Sequence, residues 1–540
     1  MNQQLYEKTD HLLSRETGTI YKDPGGRISI ALLYPNTYSV GMSSLGFQGI
    51  YGLLNSMPDV VAERAFLPSP EDIDVHIKSG TGIFSMESKR PLADFDIVAF
   101  SVSFENDYPN VLKMLELSRI PLRSSDRMPA HPLIIMGGVC AFYNPEPMAE
   151  FIDISFIGEA EEMLPEFIDV FRGHRQRDDL YSACLHISGL YIPRLYSVAY
   201  DAVTGQISGR TSLPAAPARI KKRTVASISV KGIRPVIITP EASFSGMYLA
   251  EAMRGCPWSC RFCVAGHIYK PVRKKDLAEM KAEISEALKK TKRVGLIGPS
   301  LSDYQHAEEV LAIEGVDFSI TSLRASSKSG RIVSLMKGHK SVSIAPEAGT
   351  ARLRGVISKK ISEEDILEAA GLILAEGVET LRLYFMVGLP TETREDINGI
   401  VSLVKKIRDR NRRGFINITA STFVPKPFTP FQWHPMERMG EVKERLKILK
   451  KGLSNVKGVK VNYDIVKQAY FQGVLSIGDR RSSALIEKTA HTGISGFAAA
   501  DRSFSIFRRK DIAEVLPWDF IDAGVAKERL WEEYQEALRS

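Results

Sequence analysis

Short, nearly continuous apolar runs punctuate the first third of the chain. Ile28-Ser29-Ile30-Ala31-Leu32-Leu33-Tyr34, Asp96-Ile97-Val98-Ala99-Phe100-Ser101-Val102, Leu133-Ile134-Ile135-Met136 and Ile152 to Ile157 are of this kind. Between them lie longer stretches of helical pattern. Apolar runs without strict alternation, separated by helices, predict strands of a parallel sheet covered on both faces. The expectation for residues 1–180 is a doubly wound α/β domain. Ligands in such sheets sit at the carboxyl ends of the strands. Here those ends carry Tyr34-Pro35-Asn36, Ser103-Phe104-Glu105, Gly137-Gly138 and Gly158-Glu159.

The pattern changes over 181–240. Gly189 to Pro193 and Tyr196 to Ser208 read as short strands, with a turn at Thr204-Gly205, followed by Pro214, Pro217 and several Lys and Arg. This is a connector with a small hairpin. A second alternation starts near 245. Strands are expected at Tyr248–Met253, Val294–Ile297, Phe318–Ile320, Val342–Ile344, Leu381–Val387 and Ile416–Phe423. Helical stripes run between them, one of them capped by Asp276 with Glu279 three residues on and another by Ser362. Six such units fall short of the eight that close a barrel. A partial (β/α)6 barrel is therefore expected over 241–455. A helix near 438–453, a strand near 459–466 and a helical tail follow, and 456–540 reads as a small C-terminal α+β region.

Composition adds limits. The chain has 540 residues, 44% hydrophobic and 25% charged, so several domains with ordinary cores are expected. No apolar stretch is long enough to span a bilayer. The first eighteen residues mix Glu7, Lys8, Asp10, Arg15 and Glu16 with isolated Leu, unlike a signal peptide. A cytoplasmic protein without a membrane partner is the expectation. The net charge of +7 is mild. Lys221-Lys222-Arg223, Lys289-Lys290 and Arg410 to Arg413 are local basic clusters that read first as solvated surface and second as phosphate contacts.

Three of the five cysteines fall within eight residues, in Arg254-Gly255-Cys256-Pro257-Trp258-Ser259-Cys260-Arg261-Phe262-Cys263. A disulfide framework would spread them and favour an even number, so the C-x3-C-x2-C loop reads as metal ligation. Thiolates are the usual ligands of iron–sulfur clusters. Three of them on a four-iron cubane leave one iron open, and an open coordination position is where a reacting molecule binds. A structural zinc ion is the competing reading, with His267 as the fourth ligand. That set would crowd into twelve residues, whereas zinc ligands ordinarily come as two separated pairs. Cys140 and Cys184 stand apart and read as small buried hydrophobes.

The cysteine loop resembles that of the radical S-adenosylmethionine (SAM) superfamily. The spacing matches, Phe262 precedes the last cysteine, and the loop follows the first strand of a β/α series. The resemblance implies a partial barrel whose carboxyl end holds an oxygen-labile 4Fe–4S cluster on Cys256, Cys260 and Cys263. It also implies that SAM is bound there and cleaved to a 5′-deoxyadenosyl radical. Gly298 and Ser300 match the element that meets the SAM amino group. Arg324 and Glu347 match contacts to its ribose and carboxylate, and Gly388, in Phe385 to Thr393, matches the element beside the adenine. Each has a plainer reading: Gly388-Leu389-Pro390 as a turn and Glu347 as a loop carboxylate. A flavodoxin- or ferredoxin-type reductant is implied.

Ser421 to Trp433 resembles the sixth-strand region of tRNA methylthiotransferases. Phe428, Phe431 and Trp433 there either line a pocket or pack the barrel edge. Those enzymes carry a second three-cysteine cluster, for which this chain lacks ligands, so methylthiolation is not expected. Residues 27–172 resemble the cobalamin-binding domain found ahead of the barrel in one subgroup of the superfamily. Gly137, Gly138, Gly158 and Glu159 carry that resemblance, with Asn144-Pro145-Glu146. Over nearly its whole length the chain resembles a subgroup of cobalamin-domain radical proteins, with Val40 to Gly46, Ala62 to Phe66 and Leu516 to Asp519 as further matching stretches. Pro35 to Leu45 holds no histidine for a lower axial cobalt ligand, so cobalamin binds without one or the domain is scaffold. The leading function is a radical SAM enzyme, with cobalamin-dependent methyl transfer to an unreactive carbon as its finer form. The substrate class stays open between RNA, protein and small molecule. A radical SAM enzyme modifying RNA without cobalamin, and a zinc-stapled non-catalytic binding protein, are the alternatives.

Overall fold

The computed structural model describes residues 3–320, 322–336, 340–497 and 506–539. The chain divides into two compact units. The first comprises Met1–Leu249 with Gly478–Ala498 and Glu514–Gly524; the second comprises Ala250–Ile477 with Ala499–Ala513 and Val525–Ser540.

The first unit is built on β1 (Ile28–Tyr34), β2 (Val60–Phe66), β3 (Ile97–Ser101), β4 (Leu133–Gly137), β5 (Ile154–Phe156) and β6 (Leu190–Tyr191), in the order β2-β1-β3-β4-β5-β6. The first five run parallel, and β6 closes one edge antiparallel to β5. Every residue of β1 and β2 is buried, as a sheet covered on both faces requires. The order reverses direction between β1 and β3, the switch point at which doubly wound sheets hold ligands. β2 was not anticipated, because Glu63 and Arg64 interrupt its apolar run. Both are buried and paired. The Arg64 guanidinium donates to Glu16 at 2.7 Å and to Glu87 at 2.7 Å, and Glu63 accepts from Ser88 at 2.6 Å. The antiparallel hairpin of β7 (Tyr196–Tyr200) and β8 (Ile207–Ser212) lies where it was expected. A short strand, β9 (Ile220–Lys221), pairs with Ile521–Asp522, which brings the buried Trp518 into this unit.

The second unit opens with β10 (Tyr248–Glu251), then β11 (Met253–Arg254) and β12 (Arg273–Lys274), which pair antiparallel. β10 lies beside β13 (Arg293–Ile297) and β14 (Asp317–Ile320). β15 (Ser341–Glu347), β16 (Thr380–Val387), β17 (Phe415–Thr422) and β18 (Val459–Tyr463) form a parallel four-stranded sheet. The Leu323 amide, donating to the Ser343 carbonyl at 2.9 Å, bridges the two sheets. The result is an open, partial barrel. The six expected strands are joined by a seventh, β18, beside β17. Helices cover its outside, among them Glu363–Ala375 with a Ser362–Asp365 capping box, Arg394–Arg410 and Met439–Leu453. Phe431 and Trp433 are fully buried. Trp433 packs on Trp531 and Tyr534 of the helix Lys527–Arg539, so these aromatics pack the barrel edge. No described helix is long and apolar enough to cross a membrane.

Candidate active site

The β11–β12 pair closes the loop that carries the three cysteines. Two glycines let this loop fold onto itself. Gly255 has φ +83°, and a Cβ there would lie 2.3 Å from the Tyr269 carbonyl; one on Gly266 would lie 2.2 Å from that of Trp258. Backbone bonds then fix the cysteines: the Cys256 amide donates to Ala265 at 3.2 Å, and the Cys263 amide to Cys260 at 3.0 Å. From outside, the Arg261 amide donates to the Ile357 carbonyl at 3.0 Å, and its guanidinium to Val356 and Glu536. Cys260 is buried, and Cys256 and Cys263 are half-buried. Burial raises all three thiols, Cys263 to about 11; the charge of Cys256 acts on Cys260, and those of Cys260 and Cys256 act on Cys263. Lys359 and Arg324 pull Cys256 and Cys260 the other way. Ligation of a metal here would have to displace the thiol protons.

The ends of the following strands close around this loop. Gly298, after β13, has no room for a side chain, since a Cβ would meet Met253 at 2.6 Å. Ser300 is buried, and its hydroxyl donates to Asp303 at 2.6 Å. Asp303 also accepts from the indole N–H of Trp258 at 2.6 Å. Arg324, after β14, stacks over the Trp258 ring, 3.6 Å from its centroid, and donates to the Lys360 carbonyl at 2.6 Å. Glu347 ends β15 in the left-handed region (φ +68°), a conformation that costs a non-glycine residue of the order of 1 kcal/mol. Its carboxyl is raised by burial and accepts from Lys359 at 3.2 Å. Gly388, after β16, has φ +85°, and its amide donates to Glu392 at 2.9 Å. Glu392 is lifted to about 7 by burial and is held by Arg445 at 2.8 Å. Phe262 is half-buried between Cys260 and Cys263.

The structure thus brings the cysteines, Gly298, Ser300, Arg324, Glu347 and Gly388 to successive strand ends of one sheet system. Sequence reasoning missed Trp258, Asp303, Lys359 and Glu392. Trp258 offered a signal, lying between two cysteines; the others are contacts between distant segments. His267, the fourth ligand of the zinc reading, turns a ring nitrogen toward the backbone. It is buried, a ring nitrogen lies 3.3 Å from the Cys260 carbonyl, and burial lowers it to about 4. Among the described residues no set of three or more His, Cys, Asp or Glu is gathered for a single metal ion. A tetrahedral zinc would need thiolates drawn to roughly 3.8 Å of each other, given Zn–S bonds near 2.3 Å. A cubane spaces its thiolates more widely. Three thiols with no imidazole or carboxylate gathered beside them, among the described residues, are the ligand chemistry of an iron–sulfur cluster.

Residues 251–404 match the family model of the Radical SAM superfamily, and residues 46–193 that of Radical SAM proteins, N-terminal. Together these matches span more than half of the chain. The chain belongs to the radical SAM superfamily. An uncharacterized protein of Methanocaldococcus jannaschii is 29% identical over 464 residues, 85% of this chain and 90% of that protein. A tRNA-2-methylthio-N(6)-dimethylallyladenosine synthase of Clostridium tetani is 24% identical over 174 residues, 29% of this chain and 38% of that one. Among solved structures, the cobalamin-dependent SAM radical enzyme OxsB superposes with a TM-score of 0.50 at 13% identity, over 86% of this chain and 61% of that one. The radical SAM methyltransferase TsrM from Kitasatospora setae gives 0.48 at 14% identity, over 72% of each chain. This radical SAM protein is accordingly an enzyme. Its family works with a 4Fe–4S cluster, SAM and an external reductant, and the zinc-stapled binding protein is set aside.

In the first unit of this radical SAM enzyme the residues singled out from the sequence are closely packed. Gly138 has φ +96°, and a Cβ would lie 2.4 Å from the Val102 carbonyl; Gly158 has φ +125° and faces the Arg223 backbone at 2.3 Å. Gly137 ends β4. The buried Glu159 accepts from the Val225 amide at 2.7 Å. Farther along the same edge, Tyr143 donates to the buried Glu105 at 2.7 Å. Asn36 and Asn110 donate to Asp107 at 3.0 and 3.1 Å. Val40, Phe104 and Phe244 stay exposed there, Phe104 at 43%. None of the loops following β1 to β5 holds a histidine. Cys140 and Cys184 are buried, and burial pushes Cys184 to about 12, as small core residues.

Proposed function

We propose that this chain cleaves SAM reductively beside Cys256, Cys260 and Cys263, that the resulting radical takes a hydrogen atom from an unreactive carbon, and that this carbon receives a methyl group which a second SAM supplies by way of a corrinoid. Cys256, Cys260 and Cys263 would hold a 4Fe–4S cluster, which would supply the one electron that breaks SAM into methionine and a 5′-deoxyadenosyl radical. The observation that carries this reading is the single loop of three half-buried to buried thiols at the carboxyl edge of the barrel sheet. Trp258, Asp303 and Arg324 tie that loop to the ends of β13 and β14, holding the thiols in place while a ligand enters. The Glu347–Lys359 pair presents one anion and one cation beside them, suited to hydroxyl, ammonium and carboxylate groups of SAM. The Gly388 turn, fixed by Glu392, offers backbone for a planar base. The electron donor in this reading is a flavodoxin or ferredoxin.

The corrinoid is placed on the carboxyl edge of the first unit's sheet, at the switch point between β1 and β3. Exposed Val40, Phe104 and Phe244 suit the apolar face of a macrocycle. With no imidazole in these loops, cobalt would be held without a protein nitrogen. Anaerobic incubation with SAM and dithionite should yield 5′-deoxyadenosine. A colourless, zinc-loaded protein that forms none would sink the reading. Reconstitution with hydroxocobalamin should leave corrinoid bound after gel filtration, and Phe104→Asp should lower its retention roughly tenfold. A chain that forms 5′-deoxyadenosine yet retains no corrinoid supports the simpler reading, a radical enzyme without cobalamin.

A further inference from the structure

The outer face of the barrel carries a second feature that the radical chemistry does not use. The helices Arg394–Arg410 and Met439–Leu453 touch at Gly452, where a Cβ would come 2.7 Å from Val401. Alongside that contact runs a trough of about 570 Å³. Val401, Ile448 and Val456 contribute its apolar lining, while exposed Arg394, Lys405 and Lys451 supply cations and Asn398 and Asn455 amides. None of these three cations is in an ion pair among the described residues. From Arg394 to Lys405 the trough runs about 16 Å, at 1.5 Å per helical residue.

The two ends of the trough decide what fits it. Arg394 directly follows Thr393, the N-cap at the end of the Gly388 turn, so one end of the trough begins beside the turn that follows β16. At the other end the Arg408 guanidinium donates to the Gly414 carbonyl at 2.8 Å, and the Ile416 amide to Gly458 at 2.8 Å. These bonds join three segments bearing exposed Arg412, Arg413, Lys457 and Lys460. Among them stands Phe415, 63% exposed at the first position of β17, where the alternation of the strand turns its ring away from the core. A concave row of cations with neutral amides and an exposed aromatic is the combination that binds a single-stranded nucleic acid: cations for the phosphates, the ring for a base. An anionic membrane would call for a convex or flat basic face, and an acidic peptide has no use for the ring.

We propose that this trough docks a single-stranded segment of RNA, with Arg394, Lys405 and Lys451 on its phosphates and Phe415 stacked on a base. The inference builds on the radical-enzyme reading by naming a substrate class for it. The test is fluorescence anisotropy of a labelled oligouridylate of about twelve nucleotides, within the range such surfaces cover, titrated with the full chain. Three cations predict a slope of log affinity against log salt near −2, at about −0.7 per phosphate for single strands. The triple variant R394E/K405E/K451E should bind at least thirtyfold more weakly and flatten that slope. Phe415→Ala should weaken binding about tenfold with the slope unchanged, and K289E/K290E should change nothing. Unaltered affinity in the triple variant would overturn the proposal, as would polyglutamate competing as well as RNA at equal charge. Uncoupled 5′-deoxyadenosine formation should be the same in the triple variant and the wild type. A chain that binds RNA but never cleaves SAM would refute the radical reading alone; one that cleaves SAM but fails the binding test would refute this inference alone.

Discussion

The loops after β3, β4 and β5 in the first unit and those after β10, β13 and β15 in the second occupy equivalent places at the carboxyl edge of a sheet. They dispose of their polar groups differently. In the first unit Glu105 is held by Tyr143, Asp107 by two asparagines and Glu159 by the Val225 amide, so what stays exposed is apolar. In the second, three thiols share one loop, and Arg324 and the Glu347–Lys359 pair act on it. The place in the fold is shared, while the chemistry depends on whether polar groups are consumed by the chain itself. The first edge suits a large ligand recognised by shape; the second suits a metal cluster and a charged cofactor.

The largest effect tests the thiol edge. Cys260→Ala should reduce iron from about four atoms per chain to below one after anaerobic reconstitution, and 5′-deoxyadenosine formation by at least about a thousandfold. Cys140→Ala, which removes a buried thiol from the other edge, should keep both. Equal loss of iron in the two variants would erase the distinction between the edges.

This contrast also explains what the sequence made legible. β1, β3, β4, β5 and the strands from β13 to β17 were readable because each is a local apolar run, and the cysteine loop because its ligands lie within eight residues. β2 was not, since Glu63 and Arg64 look like surface until Glu16 and Glu87 arrive from distant segments to pair Arg64. β18 was readable as a strand, but its pairing with β17 was not, because register is decided between segments. At the site, Gly388 and Gly298 were visible as turn glycines. Their partners Glu392 and Met253 were not, and neither were the Asp303–Trp258 and Lys359–Glu347 contacts. In the first unit Gly138 and Gly158 were legible as special positions. That their space is taken by Val102 and Arg223 backbone emerges only from the packing.

Gly138→Ala tests that last point. A left-handed conformation plus a contact 2.4 Å from the Val102 carbonyl should destabilise the first unit by roughly 3 kcal/mol, read as an earlier urea transition. A variant of normal stability would free the glycine for a ligand-binding role and bring the two edges closer in character.

Acid should separate the units further. His434, in the second, is lowered to about 4 by burial, with Tyr534 3.0 Å from its ring nitrogen. The unfolded chain, with a histidine near 6.5, takes up the proton first. Stability from this group is therefore complete above pH 6.5 and declines as pH falls toward 4, by up to about 3 kcal/mol. Thermal unfolding followed from pH 7 to 4 should show the decline, and His434→Gln should flatten it. A slope unchanged by the substitution would assign acid sensitivity to other groups.

The smallest effect concerns how the thiol edge is held. Trp258 makes two contacts that substitution can separate: the indole N–H on Asp303 at 2.6 Å and the ring under the Arg324 guanidinium at 3.6 Å. Trp258→Phe keeps an aromatic surface and removes the donor, while Asp303 retains the Ser300 hydroxyl. The expected cost is about 1 kcal/mol, with iron uptake preserved. Trp258→Ala also removes the ring, so Arg324 loses its stacking partner and should cost roughly 1 kcal/mol more. The second variant should surrender iron to a chelator several times faster than the first, because the loop has then lost both of Trp258's ties to the ends of β13 and β14. Equal rates of iron loss would place the restraint in the hydrogen bond, and rates matching the wild type would show that the backbone of the loop suffices to hold its three thiols.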